Sequence, residues 1–176
     1  VNGLNALLLR TYSFSGSPLS EQVRVSEPPA NGGETFGEGT FDLVWTGTHF
    51  LAAWVDAHEG SPKAYVQEVD SSGALVGGNR ALADSNTGGG VAVAGAGVGG
   101  GVAFTQTGGA DGILSILFEP NSGGQATRGP VAVSGSRLVV PTFATRGGQR
   151  VLGFLERRDP GYDYHMALVD GSLDPE

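Results

Sequence analysis

Asp56, His58 and Glu59 follow one another closely at the end of the run HFLAAWVDAHEG. Carboxylate, imidazole and carboxylate are the groups that general acid–base chemistry uses, provided a nucleophile stands within hydrogen-bond reach. No serine elbow accompanies them, and a polar loop facing water is the plainer reading. Fifty residues on, the matching places hold Gln106 and Asp111; a further fifty on, they hold Glu156, Arg157, Arg158, Asp159, Tyr162 and Asp163. A carboxylate that recurs in this way could line a pocket. A hard cation needs six or more oxygens, and the D-x-[DN]-x-[DN]-G loop is absent, so no metal is expected. Two carboxylates across a cleft can hydrolyse a glycosidic bond, but nothing fixes which two. The mix RRDPGYDYHM, Arg157–Met166, could stack on a sugar or a peptide. FGEGTF, VGGG and TRGGQR lack the Gly-Lys-Ser/Thr ending and the helix of a phosphate loop, so no nucleotide or other cofactor is expected. The ligand-binding set expected from sequence is Asp56, His58, Glu59, Asp111, Glu156, Arg157, Arg158 and Tyr162. No catalytic residue is assigned.

The elements that must hold these residues repeat. FDLVW reads as a strand, TGT as a turn and HFLAAWV as a second strand. KAYVQEV follows as a third strand, DSSG as a turn and ALVGG through Leu82 as a shorter fourth strand. Adding fifty carries Ala53 to Ala103, Trp54 to Phe104, Ala64 to Leu114 and Val66 to Ile116. Adding fifty again reaches Gly153, Phe154, Tyr164 and Met166. Small or apolar positions mostly stay so. The start of the chain fits with a stretched spacing, Leu7 falling over Ala64 and Gly16 over Gly73. The frame divides the chain into segments 1–26, 41–83, 91–133 and 137–176, with strands in the order two, four, four, three. His49 and His165 fall in expected strands.

A repeated four-stranded antiparallel unit of this size is the signature of a propeller blade, which needs a neighbour on each side to bury its two faces. Trp54, Phe104 and Phe154 are then the large residues packed between blades, and the glycine and alanine run VAVAGAGVGGGVAF belongs to crowded inner strands. AAWVDAHEGSPKAYVQEVDSSGALV resembles the bacterial secreted or surface β-propeller repeat proteins, with a strand ending in Trp and Asp, a variable loop, and a strand ending in D-x-x-G. VAFTQTGGADGILSILFEPNSGG and LGFLERRDPGYDYHMALVDG follow the same layout more loosely. The kelch, WD and sialidase Asp-box signatures are absent.

The expectation is therefore all-β: a partial propeller of about three blades plus a partial one. Another chain, a second copy or further sequence would complete it. An open arc leaves an apolar face and a bare strand edge at each end, which proteins rarely leave uncovered. Acidic residues dominate Glu21 to Glu119, whereas arginines make the later segment basic, so the two ends suit each other electrostatically. The net charge of -8 argues against nucleic acid, and no apolar run approaches the length of a transmembrane helix. Cysteine is absent, which removes disulfides and thiol chemistry. These features together favour a non-catalytic protein- or glycan-binding scaffold, extracellular or in the cell envelope, that assembles with a partner chain or a second copy. A membrane-associated assembly shares this physics. The alternative is a fragment or subunit of a secreted carbohydrate-active hydrolase that uses the loop carboxylates.

Overall fold

The computed structural model describes residues 6–26, 41–57, 61–82, 87–95, 100–106, 112–118, 125–132, 138–146, 149–158 and 160–169. These residues are all-β, in several small antiparallel sheets, with no helix. A short hairpin joins β1 (Leu8–Leu9) to β2 (Val23–Arg24). The first meander has the order β3-β4-β5-β6, from β3 (Phe41–Trp45), β4 (Phe50–Asp56), β5 (Lys63–Val69) and β6 (Leu75–Ala81). The second has the order β7-β8-β9-β10, from β7 (Thr87–Gly95), β8 (Gly100–Gln106), β9 (Gly112–Phe118) and β10 (Gln125–Ala132). The last sheet is three-stranded, with β11 (Leu138–Arg146), β12 (Gln149–Arg158) and β13 (Gly161–Val169) in sequence order. No closed barrel or ring is formed by these strands. Two boundaries depart from expectation. β6 is as long as β4 and β5, and His49 lies in the Thr46–His49 turn, where the Thr46 hydroxyl donates to the His49 carbonyl at 2.9 Å.

The register shows the repeat directly. Trp54 pairs with Tyr65 and Phe41; Phe104 pairs with Leu114 and Val91; Phe154 pairs with His165. The hairpin repeats the outer half of the first meander, fifty-seven residues apart. Val25 N–H donates to the Leu7 carbonyl at 2.8 Å, and Leu82 N–H donates to the Ala64 carbonyl at 2.8 Å. The turns match as well: Gly16 N–H donates to the Ser13 carbonyl, Gly73 N–H donates to the Asp70 carbonyl, and both glycines have positive φ, 83° and 91°. That left-handed backbone explains why glycine stands at both.

In the second of these turns the Asp70 carboxylate accepts from Ser72 Oγ at 2.6 Å, Ser72 N at 2.8 Å and Ala74 N at 3.0 Å. The Ser72 hydroxyl first, and then the Ala74 amide, hold the Asp70 carboxyl below its usual value. Because the folded form binds its proton less tightly, the turn is favoured above the ordinary aspartate pKa, and this contribution fades as pH falls through the lowered one. We expect a carboxyl-detected NMR titration to give Asp70 a midpoint below 3.8. The Ser72 and Ala74 amide shifts should follow the same transition. A midpoint at or above the ordinary value would contradict the turn.

Each sheet buries a face against the next. An antiparallel strand usually alternates between core and water, yet Leu51 through Asp56 of β4 are all buried, because a sheet lies on each side. On one side the Trp54 face (Ala52, Trp54, Tyr65) packs with Val25 and, half-buried, Leu7, Leu9 and Val23 of the hairpin. On the other, Leu51, Ala53, Val55, Ala64, Val66 and Leu82 share one core with Val91, Val93, Val102 and Phe104 of the second meander. Alternation sends successive side chains to opposite faces, so the same strand serves both cores. The Asp42 carboxylate on β3 also accepts from Val93 N–H on β7 at 2.9 Å. β11 lies beside β7, β8 and β9 in turn.

The described residues of the glycine and alanine run lie in the paired strands β7 and β8. At its end β7 presses against β3: a Cβ added to Gly95 would collide with the backbone carbonyl of Trp45. Side chains of any size are excluded there by main chain, which cannot rotate away. Gly95→Val should lower stability by about 1–3 kcal/mol, read as a fall in the urea midpoint. An unchanged midpoint would mean that β3 and β7 are not in this close contact.

Candidate functional site

Sequence pointed to the ends of the second strands and the loops after them. Asp56 does close β4 there, opposite Lys63 on β5. Its carboxylate is not offered to a ligand. Asp56 is 1% exposed, and its Oδ2 accepts the indole N–H of Trp54 at 2.8 Å. A carboxylate removed from water has to be hydrogen-bonded, and this one is held by the inter-sheet core. The expectation that Asp56 lines a binding loop is corrected accordingly: it anchors Trp54. One of the carboxylates on which the hydrolase alternative drew is thereby engaged.

His58, Glu59 and Asp111 lie outside the described residues. Glu156, Arg157 and Arg158 form the end of β12, opposite Asp163, Tyr162 and Gly161 of β13. The strand pairing thus gathers the charged and tyrosine positions at the tip of one hairpin. Tyr162 is exposed there. Gly161 has a φ of 129°, which suits glycine at this tight reversal. Among the described residues no group of three or more His, Cys, Asp or Glu is placed to hold a metal ion. No helix among them is long and apolar enough to cross a membrane.

The three aromatic positions do not end in equal surroundings. Trp54 and Phe104 are wholly buried, whereas Phe154 is half-buried, its ring stacked on His165 with centroids 5.2 Å apart. Trp54 stacks on Tyr65 at 5.9 Å in the same cross-strand relation.

The residue class that sequence reasoning passed over lies on the opposite face of the last sheet. Strand pairing sets Gly153 against Thr142 and Met166, and Leu155 against Tyr164. In the first meander the same places set Ala53 against Val66 and Val55 against Ala64. Ala64 and Val66 are 0% exposed beneath the second meander, while Tyr164 and Met166 are 85% and 84% exposed. Thr142 and Ala144 on β11 are exposed beside them. These residues line an open recess of about 440 Å³. No family model, curated protein or solved structure matches the chain. The signal was present in the hundred-residue offset from Ala64 and Val66, where two small buried residues become a tyrosine and a methionine.

A second exposed aromatic set lies at the other end. Phe41, Leu43 and Trp45 of β3 share a face with Trp54 by their pairing, yet each is more than 40% exposed, because the short hairpin covers only the β4–β5 side. Trp45 packs on Phe50 at 4.8 Å. Single exposed apolar residues are ordinary; here they form two grouped sets, one at each end of a row of sheets.

Proposed function

We propose that the chain is a non-catalytic scaffold module, a segment of propeller-type architecture that assembles with a partner chain through its end sheets. One observation carries the reading: Tyr164 and Met166 stand open at the positions where Ala64 and Val66 are fully covered. A tyrosine and a methionine are costly to leave in water over a flat sheet, and both are favoured at protein contacts. The second and third sheets continue the pattern by which each sheet covers its predecessor, which supports a partial propeller as the architecture. The resemblance in layout to secreted and surface propeller-repeat proteins supports a location outside the cell or in its envelope. The exposed Tyr162 at the hairpin tip would remain available to a protein or glycan ligand.

The test is native mass spectrometry of the protein isolated from its source without denaturation. The expected result is a complex with another chain. Tyr164→Glu combined with Met166→Glu should weaken that complex at least about tenfold, since charge on a desolvated contact is costly. A lone chain, or a complex indifferent to both substitutions, would contradict the proposal.

A further inference from the structure

We infer that the open face of β11–β13 receives a β-meander of another chain, one that carries a large aromatic residue midway along its second strand and sets that ring over Gly153. The inference rests on the assembly reading above and specifies the partner's chemistry.

Two joints already formed within the chain set the pattern that this face continues. At the first, Leu7, Leu9 and Val25 of the hairpin pack with Trp54 of the following sheet. At the second, Ala64, Val66 and Leu82 pack in one core with Phe104 of the following sheet. Leu7 corresponds to Ala64 and Val25 to Leu82, as their equivalent hydrogen bonds show. Both joints are therefore built alike: apolar residues on the outer strands of one sheet meet an aromatic from the second strand of the next. On the last sheet, Tyr164 and Met166 occupy the places of Ala64 and Val66, and Gly153 occupies that of Ala53, which lies in the Phe104 core. A Cβ on Gly153 would come within 2.9 Å of the Thr142 methyl across the strand pair, so the recess is kept bare by its own sheet. An incoming ring fits there, between the Thr142–Ala144 strand and the Tyr164–Met166 strand. Other occupants are less suited. A lone extended strand would satisfy the β13 edge and leave this face in water, and a charged ligand would meet no ionised group among Thr142, Ala144, Gly153, Tyr164 and Met166.

Met166 is the only methionine of the chain, so its oxidation reports on this face without ambiguity. The experiment appends a second copy of residues 87–132 to the full chain after Glu176, through a Gly/Ser linker. Intact-mass kinetics in dilute hydrogen peroxide then follow conversion of the thioether to the sulfoxide. In the parent chain Met166 should oxidise as fast as an exposed methionine in a peptide. In the extended chain it should slow at least about tenfold, and Phe104→Asp in the appended copy alone should restore the parent rate. Oxidation at the parent rate in the extended chain, or protection that survives the Phe104→Asp change, overturns the inference. That failure is separable from failure of the assembly reading, which is judged on the native complex and its response to Tyr164→Glu and Met166→Glu.

Discussion

Trp54→Ala should destabilise the fold by about 3–5 kcal/mol, the range for removing a fully buried large aromatic from a packed core. Three losses coincide at this residue. Its ring is 0% exposed between the hairpin and the first meander; it stacks on Tyr65 at 5.9 Å; and its indole N–H is a donor to the buried Asp56 carboxylate. Trp54→Phe separates these contributions. It retains most of the packing but withdraws the donor, leaving a buried carboxylate with one hydrogen bond fewer, which costs about 1–3 kcal/mol. Urea unfolding followed by far-ultraviolet circular dichroism measures both, since the substitution removes one of the two tryptophans as a fluorescence probe. A Trp54→Phe variant as stable as the parent would contradict the Asp56 contact.

Phe104→Ala is the second large effect, again about 3–5 kcal/mol, and its value lies in the comparison with Phe154→Ala. The two residues hold equivalent places, each on the second strand of its sheet and fifty residues apart. Phe104 is 0% exposed within a core shared by two meanders, whereas Phe154 is half-buried and its ring lies on His165. The stabilisation from burial scales with the apolar area withdrawn from water, so Phe154→Ala should cost clearly less. Equal costs would mean that the last sheet is packed as tightly as the inner ones. Under the assembly reading the gap should narrow when the partner is bound.

Much of the strand frame was legible because two independent signals agreed. Apolar runs gave the strands, and Asp-Gly and Gly-rich turns fixed their ends, as at Asp70–Gly73. The offset that placed Gly16 over Gly73 reappears as matching turn backbones, because a left-handed turn demands the same residue wherever it occurs. The destination of Asp56 is hidden in the sequence for a physical reason. A carboxylate at a strand end ordinarily faces water, and only its companion shows otherwise: residues two apart share a face, and Trp54 is buried. An exposed apolar face at each end was expected, but not which residues form it. Tyr164 and Met166 satisfied the pattern of apolar positions, and pattern alone does not say whether a neighbour covers them. Coverage depends on what stands next in space, as the contrast between Ala64 and Tyr164 shows.

Phe104, the second-strand aromatic of one meander, packs into the core of the meander before it. The most direct measurement is a carbon-edited NOESY of the labelled chain, read at the ring protons of Phe104. Cross-peaks are expected to methyl groups of the preceding meander, among Leu51, Ala53, Val55, Ala64 and Val66, alongside those to Val91, Val93 and Val102. Cross-peaks confined to Val91, Val93 and Val102 would contradict it, because Phe104 would then pack only within its own sheet.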